Sequence, residues 1–252
     1  MKIVAVLNQK GGVGKTTVST NLSHALTLAG KKVMAVDLDP QGHLSASLGL
    51  FKQPKQGVHE VLMGSADWDS VKVESREGLR LIPAGVNLRE FEESPGDFKQ
   101  KMLRLSNALE SVDHAPDYMI IDCPPSSGIL VANAILAVDE ILIPVSGDYL
   151  SLNGLAHLMI TLKRFDAVRH KPLQKKIVLS RFVARRRLSR EVLAKLMQYF
   201  PGIILQTSIR EAAALAECPG VGRTIFEYRG SSASAEDFSN LASDFIRGNV
   251  LT

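Results

Sequence analysis

A doubly wound α/β fold, with a mostly parallel sheet flanked by helices, is the class this sequence predicts. Three observations predict it. Apolar strand-like runs alternate with segments of helical period. A glycine-rich stretch, NQKGGVGKTT (8–17), follows the first run directly. Acidic residues close two other runs, in VDLD (36–39) and IIDC (120–123), as expected where a ligand sits beyond the carboxyl ends of parallel strands.

KIVAVLN (2–8) reads as a buried strand. In 16–30, Leu22, Ala25, Leu26 and Ala29 recur at helical spacing, and Gly30 is a natural stop. KKVMAVDLD (31–39) is the next buried strand. A strand, a crossover helix and a second strand imply parallel pairing. Residues 42–116 are mixed, with a strand at LRLIPAG (79–85) and a helix from about Phe98 to Ser111. DYMIIDCPP (117–125), EILIPVS (140–146), KKIVLSRFV (175–183) and GIILQTS (202–208) supply further strands, and a last helix is predicted near Ser234–Ile246. Without repeats or a low-complexity linker, 252 residues suit one domain spanning 1–252.

Composition excludes several classes. Hydrophobic residues at 45% and charged ones at 22% are ordinary for a globular core. No apolar run reaches 18 residues, so no membrane-spanning helix is expected. The N-terminus lacks a signal segment, and with the glycine loop starting so early no separate DNA-reading domain is expected ahead of it. Cys123 and Cys218 lack metal-ligand spacing and suit reduced thiols in a cytoplasmic protein. Charge is polarised. Lys163 to Arg190 holds eleven Lys/Arg against one acid, Asp166, a local +10 that leaves −6 for the rest of a chain of net +4. Such a segment can present a basic face to a polyanion.

The chemistry starts at the loop, which almost fits G-x-x-x-x-G-K-[ST]. Gly11, Gly12 and Gly14 let backbone amides of the loop, Val13 included, turn toward a phosphate, and the following helix adds its positive end. Lys15 suits β/γ-phosphates, and the Thr16 hydroxyl suits Mg²⁺. The first glycine is missing: Gln9 stands there, beside an additional cation, Lys10. Asp122 ends an apolar strand where a Mg²⁺-organising acid belongs in a P-loop NTPase. Asp37 and Asp39 alternate to one side of a strand end, and either suits a water or the metal shell. Helix capping is an equal reading for Asp37.

QKGGVGKTT with Lys10, VDLDPQG (36–42) and IIDCPPS (120–126) resemble the three motifs of the ParA/MinD family of deviant Walker-A ATPases. The resemblance covers nearly the whole chain, including 188–200 and 215–225, and is strongest to small Soj-like ParA proteins. It implies ATP and Mg²⁺ as ligands, and an ATP-dependent homodimer in which Lys10 reaches the partner's phosphates, as an arginine finger does. It implies phosphate and Mg²⁺ contacts for Lys15, Thr16 and Thr17, a water-positioning and metal-shell role for Asp39, and a Walker-B role for Asp122. It also implies a ParB-like or other cargo-adaptor partner, and non-specific DNA bound through basic residues of the C-terminal part: Arg185, Arg186, Arg187 and Arg190. One departure stands out. Where many ParA proteins read IPRNVRLAEAPS, this chain has IREAAALAECPG (209–220), so a frequent DNA-contact arginine is Ala214, and Arg210 or Arg223 is left to compensate.

Two other readings compete. A MinD-like protein cycles on membranes through a basic amphipathic tail. Here Phe238, Leu241, Phe245 and Ile246 share a face with Glu236, Asp237 and Asp244 nearby and only Arg247 basic, so core packing is expected and no stable membrane anchor. An ATP-dependent synthetase of related fold would need acceptor chemistry that the sequence does not display.

Overall fold

The computed structural model describes residues 1–169 and 171–251; His170 and Thr252 lie outside the described residues. Seven strands form one sheet: β1 (Lys2–Val6), β2 (Val33–Asp37), β3 (Val73–Arg76), β4 (Leu79–Ile82), β5 (Tyr118–Asp122), β6 (Glu140–Ser146) and β7 (Gln174–Ser180). Their order is β3-β4-β2-β5-β1-β6-β7, parallel except for the β3–β4 pair. β1 and β5 lie at the centre, in a register that sets Val6 beside Asp122. β2 follows, with Asp37 beside Asp122 on its other side. The glycine loop and the acids therefore meet at one end of the sheet.

Alternation along each strand feeds two cores. Ile3, Ala5 and Leu7 face one layer, which includes residues of the helices Ile129–Ala137, Tyr149–Asp166 and Arg187–Tyr199. Val4 and Val6 face the other, with Val18, Leu22 and Leu26 of Lys15–Leu28 and with the C-terminal helix Ala233–Arg247. In that last helix Phe238, Leu241 and Phe245 are essentially fully buried. Each is worth about 1.5–3 kcal/mol relative to exposure. Peeling this face onto a membrane would forfeit several such contributions, so the acid-flanked tail is a core helix.

Two predicted elements differ from those observed, and one observed strand was not predicted. The expected helix over 98–111 is two short ones, Phe98–Met102 and Arg104–Leu109. Buried Asn133 causes the break: its Oδ1 accepts the Leu105 amide (3.0 Å) and its Nδ2 donates to the Lys101 carbonyl (2.8 Å), replacing the one helical rung that would join those two groups. GIILQTS forms no continuous strand. It meets β7 through an isolated bridge between Ile177 and Ile204. Asp244 then takes both the amide and the hydroxyl of Thr207, at 2.8 and 2.5 Å, and turns the backbone away. β3, short and polar at three of its four positions, has no legible period; it forms as the antiparallel neighbour of β4 with Glu74 paired to Arg80.

Candidate nucleotide site and basic loop

β1 runs into the glycine loop, and the helix Lys15–Leu28 leaves it. Gly12 and Gly14 hold φ of 73° and 84°, left-handed values that other residues resist. A Cβ on Gly11 or Gly12 would meet nothing within 4 Å, so the loop is an open cradle. Gly14 caps the helix without a side-chain bond, leaving the first amides directed at whatever fills the cradle. Lys15 is buried, which lowers its pKa, while the charge of Asp122 opposes the shift.

Behind the loop, Asp122 accepts the Thr16 hydroxyl and the Ser19 hydroxyl, both at 2.7 Å. Burial pushes Asp122 up to about 6, against the pull of those two hydrogen bonds and of Lys15. Among the described residues no group of three or more His, Cys, Asp or Glu could hold a metal by itself. One hydroxyl and one carboxylate in contact are the set that suits Mg²⁺, which takes few protein oxygens and fills its octahedron with water and phosphate. The residues present therefore fit Mg²⁺ and a polyphosphate together.

The two acids at the end of β2 and just beyond it divide their work. Asp37 is fully buried and accepts the Ser45 amide (2.8 Å) and hydroxyl (2.7 Å), so it anchors the short helix His43–Ser47. Burial, then the charge of Asp122, raises its pKa to about 7. Of the two readings for Asp37, the structure shows the capping one. Asp39 keeps its carboxylate nearer the loop, where its charge acts on both Lys15 and Asp122, and it accepts the Gln41 amide at 2.9 Å.

Lys10 is held apart from Lys15. Its amine lies 2.5 Å from Asp148 and 3.1 Å from the Ser151 hydroxyl, at the start of the helix Tyr149–Asp166. The sequence reading did not single out Asp148. It is the N-cap of that helix, accepts Ser146 and Ser151 as well, and titrates down at about 2; burial opposes that shift, and the bonds from Lys10, Ser146 and Ser151 overcome it.

A cavity of about 460 Å³ opens beside the cradle. Gly12, Gly14 and Thr17 form one wall, and Arg181 with the segment from Ile209 to Ala216 forms the other. Its size and mostly apolar lining, with Val18, Ile209 and Leu215 among it, suit a nucleoside. The IREAAALAE segment, in which the sequence departs from the family at Ala214 and offers Arg210 as a compensating DNA contact, walls this cavity. Arg210 is spent on Asp237, with Nε at 2.8 Å and a second guanidinium nitrogen at 2.6 Å. The small side chains of Ala212, Ala213 and Ala216 were the legible signal for a wall. Arg223 takes no ion pair among the described residues.

The basic segment is split by β7. Arg169 hydrogen-bonds the carbonyls of Ile135 and Val138, and Lys175 pairs with Asp166, at the strand's start. Arg181, Arg185, Arg186, Arg187 and Arg190 follow its end, about 20 Å away at ~3.3 Å per residue. In the second group Arg181 touches the cradle through the Gly12 carbonyl, and Arg186 meets the cavity wall at Glu211. Within that group Arg187 pairs with Glu191, and Arg190 hydrogen-bonds the carbonyls of Ala184 and Arg185.

A family model described as an AAA domain matches residues 1–176. The sporulation initiation inhibitor protein Soj of Bacillus subtilis is 38% identical over 246 residues, spanning 96% of this chain and 97% of that protein. The chain belongs to the ParA/MinD family. The chromosome partitioning protein ParA of Caulobacter vibrioides is 33% identical over 98% of this chain and 94% of its own. Cobyrinic acid a,c-diamide synthase of Mycobacterium smegmatis, solved with bound ADP and magnesium, superposes with a TM-score of 0.83 at 30% identity, covering 98% of this chain and 94% of that one. This ParA/MinD protein is a Soj-like nucleotide-hydrolysing enzyme of the partition and positioning type, and among its described residues no helix is long and apolar enough to cross a membrane.

Proposed function

We propose that this chain is a DNA-borne partition or positioning ATPase: it binds ATP with Mg²⁺, closes into a homodimer, and in that state binds DNA without reading sequence. Hydrolysis, stimulated by a ParB-like or other cargo adaptor, opens the dimer and releases the DNA. Such a cycle moves a plasmid, a chromosome or a protein cluster in the cytoplasm, on the nucleoid.

The observation that carries this reading is the adjacency of the arginine loop to the cradle: Arg181 donates to the Gly12 carbonyl at 3.1 Å, and the run Arg185–Arg190 begins four residues later. Dimer closure there would join two basic loops and multiply phosphate contacts, which steepens salt dependence.

Bound Mg-ATP supplies the phosphoanhydride to be cleaved and the cation that shares its charge. The chain's residues do the rest. The amides of Gly11, Gly12, Val13 and Gly14, with Lys15 and Thr17, hold phosphate charge. Thr16, Asp122 and Asp39 would hold the cation, with Asp122 ionised for that task, and Asp39 would also orient the attacking water. Lys10, released from Asp148, neutralises charge in the partner's site. Arg185, Arg186, Arg187 and Arg190 bind duplex phosphates, and Arg210 contributes only if Asp237 yields it.

The likeness to a diamide synthase favours a second reading, an ATP-dependent synthetase. It predicts hydrolysis stimulated by a small amide acceptor. Sedimentation of Asp39→Ala with random-sequence duplex separates the two readings. A DNA-bound dimer with Mg-ATP and a free monomer with ADP are expected; a free monomer in both states contradicts the proposal.

A further inference from the structure

Glu211 holds two cations at once. Its Oε1 accepts Arg181 at 2.9 and 3.3 Å, and its Oε2 lies 3.4 Å from Arg186. Arg181 also donates to the Gly12 carbonyl of the cradle. A bridge therefore runs from the glycine loop through Arg181 and Glu211 to the arginine run. The backbone is arranged to make it. Arg181 has a φ of 49°, a left-handed value resisted by any residue with a Cβ, and this turn swings its side chain back over the loop. The Phe182 amide donates to Ile209 and the Glu211 amide to Phe182, so the two segments are tied together. Glu211 and Arg181 both line the cavity beside the cradle.

We propose that Glu211 is an internal counter-ion that withholds Arg186 from DNA until nucleotide occupies that cavity and draws Arg181 away from the same carboxylate. This rests on the DNA reading above and adds its switch. A polyphosphate in the cradle attracts Arg181 and repels Glu211, since both stand at the wall it enters. Once Glu211 loses its hold, Arg186 is free for a duplex phosphate. In the nucleotide-free chain the same carboxylate cancels charge beside the loop and repels the duplex. Other acids on the run do not share this position: Glu191 pairs with Arg187 one turn along its own helix, away from the cavity wall.

The test measures affinity for random-sequence duplex, with ATP and without nucleotide, for the parent chain, Glu211→Gln and Glu191→Gln. Both substitutions remove one negative charge, so Glu191→Gln controls for net charge. Glu211→Gln is expected to raise nucleotide-free affinity on the order of 3- to 10-fold, the effect of one or two added phosphate contacts, and to shrink the ATP-to-free ratio by the same factor. Glu191→Gln is expected to leave that ratio at the parent's value. Glu211→Asp, too short to span both guanidinium groups, is a second arm if the glutamine variant does not fold, and must move the ratio the same way. An unchanged ratio in Glu211→Gln or Glu211→Asp, with the parent binding DNA in ATP, overturns the inference alone. No DNA binding by the ATP-loaded parent overturns the DNA reading and this inference with it.

Discussion

Lys10 and Asp148 form an ion pair at 2.5 Å, across 138 residues of sequence, with Ser151 accepting a further hydrogen bond from the same amine. A lysine destined for a partner's phosphate is thus engaged within its own chain. The contact is half exposed, so its hold is about 0–1 kcal/mol. Asp148→Asn keeps an N-cap acceptor and removes the charge. Two such pairs break per dimer, so with Mg-ATP this variant is expected to dimerise at up to about 30-fold lower protein concentration, the factor that ~1 kcal/mol per subunit gives. Sedimentation velocity reads it; an equal or higher midpoint contradicts the intrachain hold.

Asp37 makes a pH prediction. Its pKa is about 7 in the folded chain against an ordinary value of 3.8, because burial and the neighbouring Asp122 disfavour the charge. Between those values the folded state binds more protons than the unfolded state, so this group's contribution to stability falls as pH rises. Its ionisation weakens the nucleotide-free protein by a few kcal/mol at most, an effect complete above pH 7 and absent below about pH 4. Asp37→Asn keeps an acceptor for Ser45 and cannot ionise. Denaturant unfolding from pH 4 to 8 should show parent stability dropping relative to the variant as pH rises; parallel curves contradict the assignment.

Arg210 tests whether the 209–220 segment is wall or DNA surface. Its guanidinium and its amide both satisfy Asp237, which is 5% exposed. Arg210→Ala leaves that carboxylate with the amide alone and is expected to cost about 1–2 kcal/mol of stability. Thermal melting without DNA checks it. An unchanged melting temperature, with DNA affinity lost, would instead make Arg210 a contact residue.

Much of this organisation was legible in sequence because it follows short-range rules. The strand-loop-helix unit, the glycines at 12 and 14 and Asp122 at a strand end are local patterns, and the parallel order follows from them. What escaped depends on groups distant in sequence. Asn133 splitting the 98–111 helix, Asp244 turning the 202–208 segment away, and Asp148 and Glu211 taking cations from elsewhere are pairings no spacing rule reveals. The basic segment misled for a related reason. Eleven cations between positions 163 and 190 read as one face, and β7 separates those before it from the arginines that follow its end.

The central claim is that nucleotide state governs DNA binding. Its most direct test is equilibrium binding of the Asp39→Ala protein to random-sequence duplex with ATP, with ADP and without nucleotide, across a salt series. Tight binding with ATP only is expected, its logarithm falling against log salt with a slope near −0.9 for each phosphate contacted. Equal affinity in all three states, or none in any while nucleotide is demonstrably bound, would contradict it.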